Sequence, residues 1–278
     1  MFTRIESMLV RAGVSLPLFG LEPSLSVRVQ NSIDRYGKRS PAYLREMLQG
    51  NPLPPPSVMN LVQGNTDPVY YIQNGTAAFE TVTETLQKSW VDVNQMERIL
   101  DFGCGCGRVL RHWKPYAHRI DIHGTDYNPE LVYWSHKLCK HATVGRNSAA
   151  PPLAYPDNYF SYIYALSVFT HLTVELQDAW MDECFRVLKP GGVLLFTTHG
   201  DYTVPFMPEE KRPEYNNGQV VVINEDNVGE NVCAAFHPLI YVQTHMLRKY
   251  KLLQFYPRAG RGVPWQDVYL VQKPIPSL

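Results

Sequence analysis

The chain has 278 residues, 45% hydrophobic and 19% charged, enough apolar matter for one large α/β domain with additions and too much for global disorder. Its 26 basic and 26 acidic residues cancel, so the basic excess that follows a phosphate backbone is missing and nucleic acid is not expected as a partner. Five cysteines, an odd number, argue against a disulfide framework and fit a reducing, cytoplasmic setting.

The first twenty residues carry Glu6 and Arg11 inside an apolar stretch and are broken by Pro17, so they read as neither a signal peptide nor a membrane span. No run of about 18 apolar residues follows, and no membrane contact is expected. Ser40 precedes Pro41 and predicts a capped helix that stops at Gly50. The prolines in 51–56 then predict an extended, stiff connector. Ala78, Phe79, Val82, Leu86 and Trp90 recur at helical spacing and predict a helix from Thr76 to Trp90. Residues 1–95 are therefore expected to form a helical cap.

From Arg98 short apolar runs alternate with helical segments, the pattern of parallel strands joined by crossover helices. Strands are expected at Arg98–Phe102, Ile120–Thr125, Ala142–Arg146, Tyr159–Leu166 and Gly192–Thr198, with helices near Gly107–Lys114, Pro129–Lys140 and Val174–Leu188. This gives an α/β core over 96–200. Residues 201–235 are polar and proline-rich and too long for a simple connection, which predicts a lid insertion. A helix at Pro238–Tyr250 and strands at Lys251–Tyr256 and Asp267–Gln272 complete the core over 236–278.

The chemistry concentrates at Asp101-Phe102-Gly103-Cys104-Gly105-Cys106-Gly107, between a strand and a helix, where glycines let the backbone approach a ligand. Asp126 ends the second strand, placed to accept ribose hydroxyls. A dinucleotide fold has similar parts, but its fingerprint is G-x-G-x-x-G, whereas here the spacing is G-x-G-x-G and Arg108 holds the third position. Asp101 would also sit badly beside a pyrophosphate and well beside an ammonium. Cys104 and Cys106 lack a second matching pair, so no metal is assigned. A cation at a helix start opposes the macrodipole, which makes Arg108 a candidate for an anionic ligand group.

The segment Asp101 to Arg108 resembles motif I of class I S-adenosylmethionine-dependent methyltransferases. The likeness continues through Gly124-Thr125-Asp126-Tyr127-Asn128, Asn147 to Phe160, Ala165 to Leu172, and Arg186-Val187-Leu188-Lys189-Pro190-Gly191-Gly192. It implies a Rossmann-like fold: a mostly parallel seven-stranded sheet with helices on both faces, topped by the cap and the lid. It also implies S-adenosyl-L-methionine as cofactor. Gly103 and Gly105 would then face its methionine portion, Asp101 its amino group, Asp126 its ribose and Tyr127 its adenine. Asn147 and Ser148 would bracket the adenine edge, where many relatives carry Asp, and Ser167 would join the cofactor-binding set. Ser161 stands where relatives usually have Asp.

Methyl transfer from a sulfonium is an in-line displacement, so holding the acceptor in a dry site achieves much of the rate. A hydroxyl acceptor gains from a base, whereas a neutral amine needs none. His171 and His199 follow the fourth and fifth strands and are the catalytic candidates, with His237 third. Tyr36, Tyr43, Tyr70, Tyr71, Tyr202, Phe206 and Tyr215 could wall an acceptor site or merely pack the cap. The Gly64-Asn65-Thr66-Asp67 approach resembles small-molecule and sugar methyltransferases. The expectation is a small-molecule O-methyltransferase of natural-product or glycan biosynthesis, its oligomeric state open with a homodimer among the options, and with N-methylation of a small amine and a silent cofactor-binding scaffold as alternatives.

Overall fold

The computed structural model describes residues 31, 34–35, 37–229, 232–263 and 265–276. Of the expected cap, residues 1–30 and Tyr36 lie outside the described residues. Among the described residues, helices α1 (Pro41–Leu48), α2 (Pro56–Gln63) and α3 (Pro68–Lys88) precede the sheet. Ser40 caps α1 by accepting from the Tyr43 N–H at 3.2 Å, as its position before Pro41 predicts. The connector gives way at Pro56 to α2, a helix the proline run concealed, since proline tolerates the first helical turn. Likewise α3 begins at Pro68, eight residues before its apolar periodicity, because Asp67 caps it by accepting from Val69 N at 2.9 Å.

The core strands are β1 (Arg98–Phe102), β2 (Asp121–Asp126), β3 (Thr143–Arg146), β4 (Phe160–Ala165) and β5 (Leu188–Thr198). Between them lie α4 (Pro129–Leu138) and α5 (Val174–Val187). Residues 201–236 hold short helical turns, α6 (Arg212–Asn216), and a separate ribbon of β6 (Val221–Ile223) paired antiparallel with β7 (Ala234–Phe236). The chain ends with β8 (Lys251–Tyr256) and β9 (Asp267–Gln272). Seven strands form one sheet in the order β3-β2-β1-β4-β5-β9-β8. The first five are parallel, and β9 runs antiparallel between β5 and β8.

Strand alternation explains how helices cover both faces. Leu100, Phe102, Ile163, Ala165, Leu194 and Phe196 face Trp180, Met181, Cys184 and Val187 of α5. Ile99, Tyr162, Tyr164, Val193 and Leu195 face Ala78, Val82 and Leu86 of α3 together with Leu110 and Trp113. The 201–236 region has its own small core of Met207, Tyr215, Val221 and Phe236. All five cysteines are buried free thiols. Among the described residues no helix is long and apolar enough to cross a membrane.

Two expected helices take other forms. Gly107 has φ +84°, and the following stretch is a 3-10 helix at Leu110–Tyr116 containing Pro115, which lacks the N–H an α-helix needs. No α-helix starts at Arg108, so the macrodipole argument for that residue does not apply. The segment after Pro238 forms one α turn at Leu239–Tyr241 and a π turn at Val242–Met246. There the Thr244 hydroxyl donates to the Ile240 carbonyl at 2.8 Å and competes with the helical bonds.

The loop after β3 is tied to α5 by one buried carboxylate. Glu183 Oε1 accepts from Leu153 N at 2.6 Å and Arg186 Nη2 at 2.6 Å, and its Oε2 accepts from Arg186 Nε at 2.8 Å. Arg186 also binds Asp157 at 2.7 Å. Replacing Glu183 strands a backbone N–H and a guanidinium together. Glu183→Ala is expected to lower stability by about 1–3 kcal/mol, read as a lower midpoint of urea unfolding.

Candidate functional site

The carboxyl ends of the parallel strands open into a cavity of about 630 Å³, in the size range of small-molecule sites. Its floor is the glycine loop. Gly103 N and Cys104 N both donate to Thr125 O, at 2.8 and 2.9 Å, so the loop is pinned across to β2. Gly105 N donates to Asp126 Oδ2 at 2.9 Å, and Asn128 N donates to Asp126 Oδ1 at 2.9 Å. Gly105 has φ +56°, and a Cβ there would come 2.9 Å from Val62 Cγ1, so only glycine lets α2 close down on the loop.

Asp101, Gly103, Gly105, Arg108, Asp126, Tyr127, Asn147, Ser167 and His171 all line this cavity. Ser148 and His199 do not. Asn60, Val62 and Gly64 from α2 and its end form one wall, and Val228, Gly229 and Val232 from the post-β6 segment form another. Gly229 N donates to the His171 carbonyl at 2.7 Å, and a Cβ on Gly229 would lie 2.9 Å from the Tyr127 ring. This segment thus crosses from β2 to β4 over the cavity. The cap aromatics take no part in the lining. Tyr43 donates to Leu53 O at 3.1 Å, Tyr71 lies 3.3 Å from Cys106 Sγ, Tyr215 donates to Asp201 at 2.8 Å, and Tyr202 packs on Trp265, while Tyr70 and Phe206 are exposed. Aromatic lining comes instead from Phe102, Tyr127 and Trp180.

The cavity holds several polar atoms without protein partners. Asp101 Oδ2, Asn60 Oδ1 and Asn147 Oδ1 are buried and unpaired. Burial pushes the Asp101 carboxyl up to about 7, with the neighbouring Asp126 charge adding to the rise and a Tyr164 hydroxyl bond and the Arg108 charge opposing it. Asp126 is raised by burial too, against the pull of its backbone N–H bonds. Desolvation lowers Arg108, whose Nη1 donates to the Gly262 carbonyl at 3.1 Å. Among the described residues no carboxylate forms an ion pair with it. Its desolvated charge therefore singles it out where the dipole argument failed.

His171 is neutral because burial disfavours its charged form. Its Nδ1 lies 2.6 Å from the Cys233 carbonyl and its Nε2 3.3 Å from Ser167 Oγ. His199, lowered by burial to about 4, lies behind the lining, with Nδ1 3.2 Å from Ala235 O and Nε2 3.3 Å from Gln266 Nε2. His237 is fully buried against Gln177 Oε1 at 3.1 Å and lies off the cavity. Ser161 donates to Arg98 O and accepts from Glu97 N at the opposite end of the sheet, so it ties β4 to β1. Sequence reasoning missed Asn60, Val62, Gln266 and the wall of Val228, Gly229 and Val232. Gln266 could have been found, since an antiparallel strand starting at Asp267 begins at the edge where the parallel strands end.

Residues 100–196 match the family described as a methyltransferase domain. The chain is similar to a phosphoethanolamine N-methyltransferase of Plasmodium falciparum, 27% identical over 115 residues, covering 39% of this chain and 41% of that protein. It is also similar to a ubiquinone/menaquinone biosynthesis C-methyltransferase of Neisseria meningitidis, 32% identical over 119 residues, covering 36% and 41%. The match spans about two fifths of the length of these curated relatives. In fold, the chain resembles the crystal structure of an S-adenosylmethionine-dependent methyltransferase from Mesorhizobium loti, with a TM-score of 0.50, 14% identity, and coverage of 71% of this chain and 99% of that one.

A ligand ammonium against Asp101 requires the ionised carboxylate, and a proton competes for it below about 7. The affinity for S-adenosylhomocysteine is therefore expected to weaken about tenfold per pH unit below that point and to level off above it. Calorimetry across the pH range measures this, and Asp101→Asn should bind weakly with the slope removed.

Proposed function

We propose that this chain, whose residues 100–196 match a methyltransferase domain, is a class I S-adenosylmethionine-dependent methyltransferase that transfers a methyl group from S-adenosyl-L-methionine to a hydroxyl oxygen of a small molecule. When bound, that cofactor supplies an electrophilic methyl on a sulfonium sulfur. The residues present fit it. The orphaned Asp101 Oδ2 suits the ammonium, and Arg108, with no carboxylate partner among the described residues, suits the methionine carboxylate. Asp126 lines the cavity at the end of β2, where its carboxylate suits the ribose hydroxyls. Tyr127 and the orphaned Asn147 Oδ1 suit the adenine face and amino group.

The single observation that carries the oxygen reading is His171. A backbone carbonyl only accepts, so the 2.6 Å contact to Cys233 fixes the proton on Nδ1 and leaves Nε2 a bare acceptor at the cavity wall. Burial keeps the ring neutral, hence ready to receive a proton. In this reading His171 Nε2 receives the proton that the acceptor hydroxyl gives up. His199, set behind the lining, supports the site rather than touching the acceptor. The cap helix α2 and the wall of Val228, Gly229 and Val232 exclude water, and an acceptor small enough for the remaining space suits a cavity of about 630 Å³. Five free thiols fit a reducing cytosol.

Transfer of a labelled methyl from S-adenosylmethionine into a panel of small alcohols, phenols, sugars and amines, with products resolved by mass spectrometry, tests the reading. His171→Asn is expected to lower turnover by about 10²–10⁴-fold while cofactor affinity holds. Product carrying the label on nitrogen, with His171→Asn fully active, would point to an amine acceptor that needs no base. Asp126→Ala is expected to weaken cofactor binding by about 1–3 kcal/mol through its lost charged hydrogen bonds, and unchanged calorimetric affinity would remove Asp126 from the ribose site.

A further inference from the structure

Donor and acceptor roles behind the cavity wall have one consistent solution. The Cys233 and Ala235 carbonyls can only accept, so Nδ1 of His171 and of His199, 2.6 and 3.2 Å from them, both carry protons. Each Nε2 is then a bare acceptor. His199 Nε2 lies 3.3 Å from the Gln266 amide nitrogen, which therefore donates to it. The second hydrogen of that nitrogen goes to Ser167 Oγ at 2.8 Å, and Gln266 Oε1 accepts from Thr197 Oγ1 at 2.5 Å. Flipping the amide would set an oxygen against the His199 lone pair and break both other bonds. Ser167 Oγ, accepting from Gln266, is left to send its single proton to His171 Nε2 at 3.3 Å, while the Thr170 hydroxyl at 3.2 Å fills its other lone pair.

The backbone is strained to make this chain of bonds. Ser167 has φ +57°, a left-handed conformation that non-glycine residues seldom adopt, and its N–H is held by Thr197 Oγ1 at 2.8 Å. Gln266 is only 2% exposed and does not line the cavity. Its side chain nevertheless joins the ends of β4, β5 and β9.

We propose that Gln266 is a positioning residue: locked in one amide orientation by His199 and Thr197, it aims the Ser167 hydroxyl proton at His171 Nε2 and makes Ser167 and His171 the proton-accepting pair of the site. The proposal rests on His171 serving as base for a hydroxyl acceptor. An acceptor hydroxyl takes over the Ser167 lone pair that the Thr170 hydroxyl otherwise fills; its O–H bond breaks as its proton joins Ser167 Oγ, the Ser167 O–H bond breaks as that proton joins His171 Nε2, and the electron pair stays on the acceptor oxygen. Serine ends unchanged and histidine ends as imidazolium. His199 thereby acts at two removes, through Gln266 and Ser167.

The test reads ring protons directly and needs no acceptor. Histidine-ring nitrogen–proton correlation spectra of the isotope-labelled full chain near neutral pH, assigned with His171→Asn and His199→Asn, should show both rings protonated on Nδ1. In Gln266→Met, the His199 ring should lose its single tautomer and the His171 Nε2 signal should shift toward that of an unbonded nitrogen. Calorimetry with S-adenosylhomocysteine should meanwhile stay within about twofold of the unaltered chain, showing that the variant is folded. An Nε2–H form of either histidine, or a His171 signal indifferent to Gln266→Met, overturns the relay. Full turnover by His171→Asn with both tautomers as assigned would instead overturn the base reading and leave the hydrogen-bond chain standing.

Discussion

The site depends first on the Asp126 carboxylate. By accepting from Gly105 N on one oxygen and Asn128 N on the other, it joins the turn after β1 to the turn after β2. That tie adds to the Thr125 carbonyl, which accepts from Gly103 N and Cys104 N. Asn128 in turn caps α4 by accepting from Glu130 N at 2.9 Å, so the same carboxylate sets where that helix begins. Two loops, a helix start and the cavity floor are thus fixed by one buried anion. Burial raises its pKa, and the backbone N–H groups offset the cost of keeping it ionised.

Charge in the cavity is arranged for a ligand rather than for the protein alone. Asp101 and Asp126 are both desolvated, and the Asp126 charge raises the cost of ionising Asp101. Arg108 nearby would relieve this, but it binds a carbonyl and no carboxylate among the described residues. A protein selected only for stability would replace such groups by apolar ones, since unpaired buried charge is destabilising. A zwitterionic ligand with a separate ammonium and carboxylate satisfies both sides at once.

Much of the sheet was legible because its inner strands bury both faces and read as apolar runs, with β1 and β9 falling at Arg98–Phe102 and Asp267–Gln272 as their composition predicts, and the more exposed edge strand β8 at Lys251–Tyr256. The glycine loop and Asp126 were legible for a different reason, since φ above zero and a strand-end acid leave a residue-type signature. Less legible were elements whose formation depends on capping and competition. Pro56 hid α2, Gly107 and Pro115 turned an expected helix into a 3-10 segment, and Thr244 diverted the helix after Leu239. Periodicity carries no information about a lone pair, so His199 looked equivalent to His171 in sequence. Only the position of Gln266 between them separates the two.

That separation follows from the direction of β9. A seventh strand parallel to its neighbours would deliver its last residues to the cavity edge. An antiparallel β9 delivers its first residues there instead, with Asp267 opposite Thr198 and Gln266 just beyond. The residue before the strand therefore meets the ends of β4 and β5 without any long loop of its own. Asp267 adds to this by accepting from Arg258 N at 2.8 Å, which fixes the turn leading into the strand. The reversed strand is thus the part of the fold that lets a buried amide reach behind the cavity wall, bonding Ser167 in front and His199 behind. A change in its register by one residue would turn Gln266 to the other face and leave both bonds unmade.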